Sequence, residues 1–346
     1  MRNKSLELDA IRLAANYLVV AIHFMILLGC CHGGREYAFW KWFSQDLAPI
    51  AMPTLFFISG YLFYSSSGGG LFGKIRRRIG RLVVPYVLWN IIVGLLFALL
   101  CVIGLNKAAS ADLTSPAQLV LWLSRKTISL WTAPADMPTW YIRTVFIYSI
   151  LSPVWLLFMR GRYWQIRLVV LFVGISAFDF YLNMYGHTVD FLYTYPPYSL
   201  LCFCIGGALA VHGINLGWFY GKMRILFALV GISALIVGTS YPCPDGLACW
   251  LKLLECMILF ALAPELAKVY RYIPEVVRSS TFWLYVTHLP IFLLLSAFVP
   301  KLPFTSISLR LLVGIAAMLA ISIGFFAVVR RWLPRVSKVL NGQLII

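Results

Sequence analysis

The first hydrophobic segment of the chain, residues 8–24, reads LDAIRLAANYLVVAIHF and contains Arg12 and His23. Their separation of eleven residues is close to three helical turns, so both side chains lie on one face, about 16 Å apart along the axis. Charged or titratable groups inside a lipid-embedded helix are costly and typically mark a polar interior or a reaction path. The pair therefore favours an enzyme over a passive membrane protein.

The composition is that of an integral membrane protein. Of 346 residues, 61% are hydrophobic and 12% are charged, and the mean hydropathy is +0.86. A soluble domain is about half apolar and a quarter charged. The formal charge of +17 does not indicate a nucleic-acid partner, because the basic residues lie between hydrophobic runs rather than on one soluble face.

The eight cysteines show neither a C-x-x-C pair nor the spacing of a metal site, so no metal is expected. Cys243 and Cys249 share a short loop. Two free thiols are expected there, and a disulfide is the alternative if the loop faces an oxidising compartment.

Apolar runs of sufficient length predict an all-α polytopic protein with ten transmembrane helices. The predicted limits are 8–31, 46–64, 82–105, 138–159, 166–184, 193–212, 223–240, 247–267, 280–299 and 308–330. With both termini in the cytoplasm, 20 of the 29 lysines and arginines lie inside and eight outside, as the positive-inside rule expects. A single domain over residues 1–346 is expected, with no appended soluble domain, and its one long connection is 106–137.

Further ionisable groups fall within these predicted spans. Arg143 requires a partner, water or an anionic ligand unless it snorkels to the outer interface. His288 is predicted near mid-membrane, and Glu255 or Asp179 could orient a histidine, although an outer-interface position is preferred for Asp179. The candidate catalytic set is His23, Arg143, His288 and Glu255. The alternative for a histidine is a structural hydrogen bond across helices.

The inner-side sequence contains a basic run from Lys74 to Arg81. The positive-inside rule for membrane topology alone accounts for this run. Guanidinium groups also suit the phosphates of a nucleotide-like donor. In the second span, Ser59 and Gly60 are small enough to allow close helix approach.

Five segments together resemble the acyltransferase-3 family of membrane-bound acyltransferases, which modify bacterial surface glycans. They are LDAIRLAANYLVVAIH at 8–23, with the Arg-x10-His pair; FFISGYLF at 56–63; RRRIGRLVVPYVLW at 76–89; TWYIRTVF at 139–146; and FWLYVTH at 282–288. Their order and spacing, rather than any one of them, make the resemblance specific.

The resemblance implies an O-acyltransferase of the bacterial inner membrane. It would move an acyl group, expected to be acetyl, from cytosolic acyl-CoA to a hydroxyl of a cell-surface or lipid-linked glycan, with membrane lipids around it and no bound cofactor. His23 would be the general base or acyl carrier, and Arg143 or a backbone donor would stabilise the oxyanion. Acyl-CoA would dock on Arg12, Arg76, Arg77, Arg78 and Arg81. The cavity would be formed by Ser59, Gly60, Tyr86, Trp140 and Tyr285.

Two other classes remain open from the residues. A glycolipid or polysaccharide transporter would use the buried charges as a substrate path. A non-catalytic partner of a glycan-synthesis complex would bind no acyl-CoA. The lack of an internal repeat and the Arg12–His23 stripe weigh against the transporter.

Overall fold

The computed structural model describes residues 6–28, 33–66, 70–102, 116–130, 132–184, 197–240 and 245–343, and no β-strand occurs within these ranges. Cys243 lies outside them, as do the side chains of Cys249 and Asp179. The α-helices are α1 Leu6–Ile22, α2 Gly34–Trp42, α3 Ala51–Ser65, α4 Gly70–Arg78, α5 Val84–Val102, α6 Pro116–Ile128, α7 Trp140–Ile150, α8 Ser152–Met159, α9 Trp164–Met184, α10 Pro197–Val211, α11 Gly217–Tyr220, α12 Arg224–Ser240, α13 Asp245–Glu255, α14 Met257–Ala261, α15 Ala263–Tyr272, α16 Glu275–Ser279, α17 Thr281–Leu295, α18 Ile307–Trp332 and α19 Pro334–Leu340.

Four continuous helical segments of the described chain are long and apolar enough to cross a bilayer. They are Leu6–Leu28, Gly34–Ser65, Gly70–Cys101 and Ile307–Trp332. A fifth candidate joins Met137–Ile150 to Ser152–Met159 through a bend of 70°. Shorter apolar helices occupy Trp164–Phe178, Tyr198–Val211, Arg224–Ser240 and Thr281–Leu295. An all-helical membrane architecture is thus confirmed, whereas the number of ten spans and the cytoplasmic termini stay predictions.

The first span is not one uninterrupted α-helix. α1 ends at Ile22, and residues Phe24–Leu28 form a 3₁₀-helix after a turn at His23. The Ile22 carbonyl accepts a hydrogen bond from Ser44 Oγ at 2.7 Å, which satisfies a polar group exposed by the break. A short 3₁₀ stretch inside a longer helix often marks a functional position.

Helices α3 and α10 pack backbone to backbone at two glycines. A β-carbon on Gly60 would lie 1.9 Å from the Phe203 carbonyl oxygen, and one on Gly206 would lie 2.0 Å from that of Phe57. Each glycine thus faces a backbone carbonyl of the other helix, and only glycine at both positions permits this distance. The close packing expected of Gly60 is therefore present, and it fixes α3 in the centre of the bundle.

The long connection predicted at 106–137 contains α6, which runs antiparallel to α5. A β-carbon on Gly94 would lie 2.5 Å from Leu123, and Tyr86 Oη lies 3.0 Å from Ser129 Oγ. The chain after α6 therefore returns to the level of the first turns of α5 before α7 begins. Irregular backbone at this depth is tolerated where protein buries it. We name residues 129–130 and 132–139 the inner loop.

The C-terminal helix α19 packs against the start of α5. Trp89 Nε1 donates a hydrogen bond to the Leu340 carbonyl at 3.0 Å, and the Asn341 side chain donates to the Ser279 carbonyl at 3.0 Å. This end of the chain therefore lies beside the basic run that precedes α5.

Gly206→Ala tests the glycine contact. The new methyl group is expected to separate α3 from α10 and to cost about 1–3 kcal/mol of stability, which lowers the apparent melting temperature in detergent. Gly174→Ala is the control, because no atom outside its own helix segment lies within 4 Å of a β-carbon there. Equal melting temperatures for the two variants would contradict the close packing.

Candidate active site

Two histidines from different helices meet inside the bundle. The imidazole centroids of His23 and His288 lie 5.3 Å apart, with their planes inclined by 35°. His288 is fully buried in α17, whereas His23 is half-buried in the turn that follows α1. The structure thus brings together two of the four candidate catalytic residues, and His23 is the more exposed of the two.

The orientation of His288 is fixed by its own helix. Nδ1 lies 2.7 Å from the Tyr285 carbonyl oxygen and 3.3 Å from that of Leu284. One residue earlier, the hydroxyl of Thr287 lies 2.7 Å from that of Ser322 and ties α17 to α18. The ring therefore has little freedom to move.

Aromatic side chains close one side of the histidine pair. The ring of Phe292 lies 6.0 Å from that of His288 and 6.1 Å from that of Phe24, both edge to face. Phe24 also stacks on Phe43 at 6.3 Å. This apolar packing lowers the local dielectric and strengthens electrostatic interactions at the pair.

A series of polar and aromatic side chains leads from His288 toward the basic run. The ring of Tyr285 lies 6.3 Å from that of His288 and 6.2 Å from that of Tyr141. The hydroxyl of Tyr141 lies 2.7 Å from that of Ser59, and Arg78 Nη2 donates to the Ser59 carbonyl at 3.0 Å. We name these four residues (Tyr285, Tyr141, Ser59 and Arg78) the inner path.

Arg12 lies at the far end of the inner path. Its charge interacts with Arg78 and with Tyr141. Its side chain remains 52% exposed and lies 3.7 Å from Asp9, a contact too open to neutralise it fully. Arg12 thus lies close enough to the end of the inner path for its charge to reach Arg78 and Tyr141.

Some arginines of the basic run are exposed to solvent, and others make contacts within the protein. Arg76 and Arg81 are exposed, and Arg77 is half-buried. Arg78 donates to Ser149 Oγ at 2.8 Å and lies over the ring of Phe63, so part of its role is to join helices. Of the predicted donor-binding set, Arg12, Arg76 and Arg81 are the exposed members.

Arg143 holds the inner loop. Its Nη1 donates hydrogen bonds to the Ser129 carbonyl, to Ser129 Oγ at 3.0 Å and to the Thr132 carbonyl at 3.0 Å. Tyr86 binds the same Ser129 hydroxyl. These bonds satisfy irregular backbone within the bundle, while the oxyanion role of Arg143 stays a prediction.

The remaining candidates lie in different surroundings. Glu255 is buried and pairs with Lys252 at 2.8 Å rather than with a histidine of the described chain. Trp140 is half-buried, with its ring 5.8 Å from that of Phe56. The hydroxyl of Tyr285 donates to the Pro138 carbonyl and so ties α17 to the inner loop.

Two further residues belong to this region, and sequence reasoning missed the first of them. Tyr141 directly follows Trp140 in a quoted motif, but its position on the inner path depends on the folding of α3 against α7. Asp136 is fully buried, and neither carboxyl oxygen has a hydrogen-bond partner among the described residues. Its backbone N–H donates to Asn90 Oδ1 at 3.0 Å.

A family model described as an acyltransferase domain, acyltransferase-3, matches residues 5–327. The chain belongs to the acyltransferase-3 family. No curated protein matches the chain, and no solved structure does. As an acyltransferase-3 protein, the chain is a membrane acyltransferase, and the match includes the first-span Arg12–His23 pair and His288.

Asp136→Asn tests the state of the buried carboxyl group. Burial raises the pKa of Asp136 well above its ordinary range, which favours the neutral acid in the folded protein. The neutral Asp136 contributes its full stabilisation below the pKa of an aspartic acid in the unfolded chain, about 3.9. This stabilisation is lost as the pH rises through the pKa of Asp136 in the folded protein.

An asparagine does not ionise, so the Asp136→Asn variant does not lose stability in this way as the pH rises. The variant is therefore expected to gain melting temperature relative to wild type as the pH is raised from about 5 to 9. Melting curves of both proteins in the same detergent provide the measurement. A constant difference across this range would contradict a buried neutral acid.

Proposed function

We propose that the protein is an O-acetyltransferase of the bacterial inner membrane, with cytoplasmic termini. It transfers the acetyl group of cytosolic acetyl-CoA to a hydroxyl of a cell-surface or lipid-linked glycan. The observation that carries the proposal is the meeting of His23 and His288 at one end of a polar path whose other end is the exposed Arg12. Acyltransferase-3 membership supports the reaction class.

The donor binds at the arginine end. Arg12, Arg76 and Arg81 are exposed, and guanidinium groups form strong charge-assisted hydrogen bonds with phosphate oxygens. With the CoA phosphates held there, the pantetheine arm and its thioester extend along the inner path toward His23.

His23 acts on the acceptor hydroxyl. As general base, one imidazole nitrogen takes the hydroxyl proton while the oxygen attacks the thioester carbon, giving a tetrahedral intermediate. The C–S bond then breaks, and the same proton passes from His23 to the CoA sulfur. The products are the O-acetyl ester and CoA. In the alternative role, His23 itself carries the acetyl group at the same location. Acid quenching of a reaction with labelled acetyl-CoA would then trap a labelled acetyl-histidine, which the general-base role does not form.

His23→Ala tests the catalytic role. General-base catalysis contributes about 10²–10⁴-fold, so we expect at least a 100-fold fall in transfer of radiolabelled acetyl from acetyl-CoA to the glycan fraction of bacterial membranes. Binding of acetyl-CoA to the purified variant should persist. His212→Ala is the control, because His212 binds the Met159 carbonyl and stacks on Trp164. Full transfer by His23→Ala would refute the role.

Arg12→Ala tests the donor site. Loss of one charge-assisted hydrogen bond of about 1.5–3 kcal/mol should weaken acetyl-CoA binding about 10-fold or more, measured by saturation of purified protein in nanodiscs with labelled acetyl-CoA. Arg331→Ala removes another exposed arginine, which lies near the other end of the chain, and should leave the Kd unchanged. An unchanged Kd for Arg12→Ala would exclude Arg12 from the donor site.

A further inference from the structure

The two ring nitrogens of His288 have different roles. Nδ1 lies 2.7 Å from the Tyr285 carbonyl oxygen, which can only accept a hydrogen bond. Nδ1 therefore carries the proton in the neutral ring, and Nε2 carries the lone pair. The hydrogen bond thus determines the tautomer of His288.

Nε2 is a buried hydrogen-bond acceptor that lacks a donor among the described residues. His288 is 0% exposed, and Nε2 has no hydrogen-bond partner among the described residues. A buried acceptor without a donor costs about 1–3 kcal/mol. An unsatisfied buried acceptor calls for an explanation, and a donor that reaches it during function is one.

His23 is the neighbouring group that can supply this donor. Its ring lies 5.3 Å from that of His288, with the two ring planes inclined by 35°. His288 is held within α17, whereas His23 lies in the half-buried turn between α1 and the 3₁₀-helix. A rotation of the His23 side chain therefore closes an N–H···N hydrogen bond of about 3 Å.

We propose that His288 is a positioning residue for His23, an inference that rests on the proposed function. Nε2 of His288 accepts the N–H of His23, which leaves the lone pair of the other His23 nitrogen directed at the acceptor hydroxyl. When His23 takes the hydroxyl proton, the resulting imidazolium keeps its bond to Nε2. When the C–S bond breaks, that proton passes to the CoA sulfur, and His288 ends unchanged.

A neutral imidazole suits this position better than a carboxylate. In many enzymes an ionised acid orients the catalytic histidine. Here the position is fully buried among Phe24, Phe292 and Tyr285, where an isolated carboxylate would lose several kcal/mol of solvation. A histidine fixed in one tautomer supplies the same acceptor without a permanent charge.

Two substitutions separate this role from a structural one. In His288→Asn the amide nitrogen takes the place of Nδ1 and retains the bond to Tyr285, but no acceptor faces His23. In His288→Gln the longer side chain places its amide oxygen near the position of Nε2, where it accepts from His23. A purely structural histidine would tolerate asparagine better than glutamine.

We expect His288→Asn to lower kcat for labelled acetyl transfer about 100-fold with an unchanged Kd for acetyl-CoA and an unchanged melting temperature. His288→Gln should retain kcat within about 10-fold of wild type. Wild-type kcat in the Asn variant, or a smaller kcat for Gln than for Asn, would overturn the positioning role. No transfer by wild type would instead overturn the proposed function.

A spectroscopic measurement covers the case in which the variants do not fold. In wild-type protein with ¹⁵N-labelled histidine, the signal that responds to His23→Ala is expected to be the Nδ1–H tautomer with an unprotonated Nε2. A proton on Nε2 of that residue would overturn the inference.

Discussion

The break in the first span at His23 is the feature on which the rest of the site depends. Inside a bilayer, a helix that stops its hydrogen bonding must satisfy its backbone elsewhere. Ser44 does so for the Ile22 carbonyl, and the following residues tighten into a 3₁₀-helix. The break places His23 in a turn rather than within a continuous helix, beside His288 of α17. A half-buried histidine in a turn therefore lies beside a fully buried one in a helix.

The inner loop, which contacts α17 at Tyr285, is a second place where irregular backbone must be satisfied within the bundle. Its backbone is irregular and lies among helices, and the polar groups of Arg143, Asn90 and Thr139 satisfy it. The loop in turn accepts the hydroxyl of Tyr285, three residues before His288. Arg143 thus contributes to the site by holding the loop against which α17 packs, whatever charge it adds to the reaction.

The sequence could predict the class of fold and the first member of the site, but not their connection. Hydropathy predicted an all-helical membrane protein, and the Arg12–His23 spacing singled out the histidine that the structure places beside His288. The helix break could not be predicted, because Ser44, which satisfies the freed Ile22 carbonyl, comes from a later segment. The pairing of Glu255 with Lys252 and the place of Tyr141 likewise depend on side-chain geometry. From length alone, residues 106–137 are one long connection, and the sequence does not predict α6 within it.

The most direct test of the account is an experimental structure of the protein in nanodiscs with a non-hydrolysable thioether analogue of acetyl-CoA. The account predicts the CoA phosphates beside Arg12 and the acetyl carbonyl carbon close to His23, with space for an attacking oxygen about 3–3.5 Å from that carbon. An analogue bound elsewhere, for example in the groove of about 420 Å³ between Arg224 and Leu262, would contradict a reaction centred on the histidine pair.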